Sequence, residues 1–88
     1  MSTQPAPFVN NFPADSLEKQ IYTFIDSLDA YLPVPNDRIR LSYSLFKFMN
    51  NEGDEPLISI KAAKLTIKGI TDEELAVKVA SGLAKIKK

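Results

Sequence analysis

Lys61, Lys64 and Lys68 stand just ahead of Gly69 and Thr71, and the acidic run Asp72, Glu73 and Glu74 follows at once. Lysines on the first of two helices joined by a turn could meet nucleic-acid phosphates, as they do in a helix-turn-helix. The charge of the second helix argues against that chemistry. A recognition helix offers its N-terminal turn to base edges, and three carboxylates in that turn repel a polyanion. The connection is also long for the motif. A helix-turn-helix-like DNA-binding regulator is therefore the alternative reading, with Lys61, Lys64 and Lys68 as its contacts and nucleic acid a disfavoured partner.

Two other groups of carboxylates could do chemistry. Glu52, Asp54 and Glu55 surround Gly53, but calcium loops need ligands at alternating positions and a glutamate at the twelfth, and that spacing is missing. A solvated connector is the plainer account. Asp26 and Asp29 fall at i and i+3 of a helix, where two carboxylates could split their pKa values into an acid and a base. The chain has no histidine, cysteine or tryptophan, so it lacks a group that titrates near neutrality, a thiolate nucleophile and the usual zinc ligands. We expect no catalytic residues, no cofactor and no metal. An enzyme would need a concave pocket into which at least two carboxylate, lysine or tyrosine groups converge. Lys85, Lys87 and Lys88 read as a solubilising C-terminal end.

The aromatic and methionine residues point elsewhere. Ile39, Tyr43, Phe46 and Met49 fit one face of a helix, and Leu41, Leu45 and Phe48 widen it to more than half the circumference, an arc wider than short neighbours can bury. Tyr22, Phe24 and Tyr31 add to the set. Such side chains are enriched at protein interfaces, and self-association would stabilise a small domain. The expected function is a small protein–protein interaction module, regulatory, adaptor or inhibitor-like. It would act through an apolar helix face on another protein or on itself as a homodimer, with Tyr43, Phe46, Phe48 and Met49 as anchors and Phe8 and Phe12 of the N-terminal arm as a clasp.

Four elements must position these residues. Asp15 with Glu18 reads as a capping box, and Leu17, Ile21, Phe24, Ile25, Leu28 and Leu32 recur at helical spacing, so a helix is predicted over 15–32, stopped by Pro33 and Pro35. Asn36 or Asp37 offers the cap for a second helix over 37–50, although Ile39, Leu41, Tyr43 and Leu45 also alternate as a strand would. Gly53 suits a positive backbone dihedral and Pro56 a first helical turn. A third helix is predicted over 57–66, again with a strand-like alternation beside it. Thr71 with Glu74 is a capping box for a fourth helix over 72–87, in which Gly82 costs about 1 kcal/mol relative to alanine and permits the close approach of a neighbouring backbone.

The fold class is thus all-α, a compact bundle of about four short helices forming a single domain over 15–88. An extended arm, 1–14, precedes it, carrying Pro5, Pro7 and Pro13 and no charged side chain. The alternative is α+β, ordered α-β-β-α. With 44% hydrophobic and 25% charged residues, and 11 basic side chains against 11 acidic ones, composition fits a globular domain and advertises neither nucleic acid nor anionic membrane. No stretch approaches the roughly 20 apolar residues of a membrane span, and Lys19 is the first basic residue. We expect a cytoplasmic protein with no membrane partner.

Overall fold

The computed structural model describes residues 16–86. Among them the chain forms four α-helices and no strand, so the all-α class holds and the α-β-β-α alternative does not. The arm 1–14, with Phe8 and Phe12, and the cap assigned to Asp15 lie outside the described residues.

Helix α1, Leu17–Asp26, is capped by Ser16, whose hydroxyl accepts the Lys19 N–H at 3.2 Å. It ends well before the predicted Leu32. The Ser27 hydroxyl donates to the Phe24 carbonyl at 2.5 Å, competing for the acceptor that would carry the helix onward. The chain then proceeds through tighter turns, with Leu28 N–H on Ile25 O and Tyr31 N–H on Leu28 O. The apolar periodicity still marks the inside correctly, because Leu32 is fully buried although it is not helical. Arg38 ties the turn down, donating through Nη1 to Leu32 O at 2.6 Å and through Nε to Asp26 Oδ1 at 3.1 Å.

Helix α2, Pro35–Met49, begins two residues earlier than predicted, with Val34 in the cap position and no side-chain cap bond. Pro35, read as a stop, is instead the first helical residue. Its fixed φ suits that position and its missing N–H would have no partner there anyway. Asp37 is consequently inside the first turn, buried, and committed to other partners. Leu41, Ser42 and Leu45 are fully buried, the Ser42 hydroxyl satisfied by Arg38 O at 2.7 Å. After α2 it is Asn51, with φ 62°, and not Gly53, that adopts the left-handed conformation. Gly53 is needed for space, since a Cβ there would stand 3.0 Å from Lys47 Cβ.

Helix α3, Pro56–Ala63, stops short of the predicted Thr66 because Lys64 turns left-handed at φ 53°. Helix α4, Asp72–Leu83, opens on the predicted Thr71–Glu74 capping box, both halves of which form, at 3.1 and 2.9 Å. It ends at Leu83, four residues before the predicted limit, and Lys85 and Ile86 continue in single turns.

Ile21, Ile25, Leu32, Leu41, Leu45, Ile60, Leu75 and Val79 make the core. Helix α1 packs along α2, and α3 lies between α2 and α4. Contact between α1 and α4 is brief and rests on Gly82, where a Cβ would come within 2.1 Å of the Phe24 ring. The shortest dimension is 19 Å, about two helix diameters. In so thin a body a face of a central helix can remain open to solvent.

Candidate functional site

The face of α2 opposite Leu41 and Leu45 is that open face. Ile39, Tyr43 and Lys47 recur every four residues along it, with Arg40 and Ser44 beside them, and together they form one wall of a groove of about 690 Å³. Ser59, Ala62 and Ala63 of α3 form the other wall, and Glu52, Gly53 and Asp54 close one end. The groove exists because α3 turns alanine and serine toward a helix that offers longer side chains. Gly53 lets the closing loop pass tightly against Lys47.

Each end of the groove has its own electrostatics. At one end Arg40 is held twice, donating through Nη2 to Asp37 Oδ1 at 2.5 Å and through Nη1 to Ala63 O at 2.9 Å. The carboxylate of Asp37 also accepts the Thr66 N–H at 2.9 Å. That backbone hydrogen bond, with Arg40 adding to it, lowers the Asp37 pKa below the ordinary carboxylate value against the opposing effect of burial. Toward the other end the Lys47 ammonium sits 5.0 Å from the centre of the Tyr43 ring, a cation–π contact. Glu52 and Asp54 form no ion pair among the described residues. The Ser59 hydroxyl donates to the Asp54 backbone carbonyl at 3.0 Å, which makes it a structural donor at the start of α3.

Of the expected anchors, only Tyr43 lines this groove, and it is 50% exposed. Phe46, Phe48 and Met49 are half-buried and pack against the core. The four therefore do not share one open face: Tyr43 looks into the groove and the other three hold α2 against its neighbours. Phe8 and Phe12 fall outside the described residues. Arg40, Ser44 and Ala62 were not singled out as site residues by sequence reasoning, and Glu52 and Asp54 were weighed only as calcium ligands, not as part of a groove. The pattern of 39, 43 and 47 facing a pair of alanines is the signal that could have found them.

The remaining candidates are dispersed. Lys61 lies 3.3 Å from Glu73, in an exposed ion pair that lowers the Glu73 pKa behind a larger backbone hydrogen-bond effect. Lys64 and Lys68 are exposed on the connection 64–71, far longer than the three or four residues of a helix-turn-helix turn. Asp26 and Asp29 do not share a helical face, because α1 ends at Asp26. Asp26 takes Arg38 and, at 3.4 Å, the Tyr22 hydroxyl. Burial, then the charge of Asp26, raises the Tyr22 pKa. Among the described residues no three of histidine, cysteine, aspartate or glutamate gather as a metal site would require, Glu52, Asp54 and Glu55 included, and no helix is long and apolar enough to cross a membrane.

Chemically, the groove offers apolar lining from Ile39 and Tyr43 on one wall and Ala62 on the other, with charged groups among its remaining lining residues. Tyr43, Lys47, Glu52 and Asp54 line one concavity, with Lys47 over the Tyr43 ring. Its one serine at the acidic end is spent on the backbone. No family model matches the chain, and no curated protein or solved structure matches it either.

Proposed function

We propose that this chain is a small protein-binding module, regulatory, adaptor or inhibitor-like in character, that seats an apolar side chain of another protein in the groove between α2 and α3. The observation that carries this reading is Tyr43, a large aromatic residue half exposed inside a concavity of about 690 Å³. A ring that is rigid, already ordered and open to a groove gains contact area at small entropic cost when a partner covers it. Ile39 and Ala62 beside it supply apolar contact, while Arg40, Lys47, Glu52 and Asp54 form the polar rim common to such interfaces. Phe46, Phe48 and Met49 contribute from behind by fixing the position of α2.

The test is affinity capture from the native host with the wild-type chain, Tyr43→Asp and Val77→Asp. Val77 is 69% exposed and lies on α4, away from the groove. Capture of one protein that survives Val77→Asp and is lost in Tyr43→Asp, with circular dichroism unchanged in both, supports the reading. Capture that ignores Tyr43→Asp overturns it. Light scattering on the same samples shows whether the captured partner is a second copy of the chain.

A further inference from the structure

We infer that the segment recognised by this groove is cationic at one end, with a lysine or arginine set next to its apolar anchor so that it meets Glu52 and Asp54. This rests on the groove being the binding site, and it adds the chemistry of the partner.

The two ends of the groove differ in what they leave for a guest. Arg40 is neutralised in place by Asp37, and its second donor is taken by Ala63 O. Lys47 is drawn onto the Tyr43 ring and makes no ion pair with Glu52 or Asp54. The acidic end therefore carries two carboxylates with no cation at contact distance among the described residues, both bordering the concavity that Tyr43 lines. In water these carboxylates are solvated and need no partner. Covered by a guest they would select its charge: an acidic side chain there meets like charge in a partly dried crevice, whereas a basic one gains a charge-assisted hydrogen bond. The preference is one of sign and position, apolar beside Tyr43 and positive toward the 52–54 loop.

Two short helical peptides make the test, alike in a central phenylalanine and differing only in flanking lysines or flanking glutamates. Each is titrated into ¹⁵N-labelled full-length chain, following the amides of Tyr43, Ser44 and Ala62. The lysine peptide is expected to shift these amides, to bind at least about tenfold more tightly than the glutamate peptide, and to lose about that factor in the double variant Glu52→Gln with Asp54→Asn or on raising salt. Equal affinities, or tighter binding of the glutamate peptide, overturn the inference. If both peptides bind equally and both are lost in Tyr43→Asp, the groove stands as a binding site and only its charge preference fails. If neither shifts these amides, the inference fails, and the Tyr43→Asp capture experiment alone decides the groove.

Discussion

Asp37 accepts the backbone N–H of Thr66 at 2.9 Å, joining the first turn of α2 to a residue 29 positions further along the chain. Its other oxygen takes Arg40, which reaches on to Ala63 O. One side-chain pair thus satisfies the end of α3 and the connection that follows it. Replacing Asp37 by alanine leaves the Thr66 N–H and the Arg40 guanidinium without their acceptor, at a cost of about 1–3 kcal/mol. A lower urea midpoint with an unchanged slope is the expected result.

The same carboxylate has a pH signature. Its native pKa lies below the ordinary value of 3.8, so its contribution to stability is complete above that value and is lost as pH falls through the lowered native pKa. The stability gap between wild type and Asp37→Ala should be constant from neutral pH down to mildly acidic conditions, then narrow in stronger acid. A gap that widens on acidification would contradict the assignment. Denaturant titrations at a series of pH values provide the measurement.

Gly82 faces the Phe24 ring so closely that an added Cβ would lie 2.1–2.5 Å from its atoms. Gly82→Ala gains about 1 kcal/mol of helix propensity but overpacks the α1–α4 contact, and overpacking costs about 1–3 kcal/mol. Net destabilisation is expected, partly recovered when Phe24→Leu is added. Thermal unfolding of the two single variants and the double variant would reveal that coupling.

Tyr43 and Leu45 are two residues apart on α2 and should behave oppositely. Leu45, fully buried, should cost about 2–5 kcal/mol on truncation to alanine. Tyr43→Ala should change stability by less than about 1 kcal/mol while abolishing partner capture. Paired thermal melts and capture assays separate the two roles, and a Tyr43→Ala melt as damaged as that of Leu45→Ala would move Tyr43 into the core.

Thr71→Ala removes one half of the capping box that opens α4, and about 0.5–2 kcal/mol is expected to go with it. Retention of the wild-type melting temperature would mean that Asp72 and Glu73 cap the helix adequately without the hydroxyl.

How much of this was written in the residues can be judged from particular elements. The Thr71–Glu74 box and the tight fit at Gly82 are local or pairwise, and both were legible, the second except that the neighbour is a ring and not a backbone. Helix ends were less so. Ser27 ends α1 by donating its hydroxyl to the Phe24 carbonyl and Lys64 ends α3 by a left-handed turn, and neither event leaves a mark in hydrophobic spacing. Pro35 was misread because a proline that terminates one helix and one that starts the next look alike in sequence. The site was the hardest part. Tyr43 stood out as an aromatic residue on a helix, but the groove depends on Ala62, Ala63 and Gly53 being small where α3 and its leading loop pass α2. Such an absence of bulk becomes informative only once the helices are paired.

Arg40 lines the groove while it grips both Asp37 and Ala63. Drawing α2 and α3 apart would break the Arg40 contact with Ala63 O and loosen the ion pair that Arg40 makes with the buried Asp37. The width of the groove is therefore tied to the same clamp that holds the two helices together, so a change in one should register in the other.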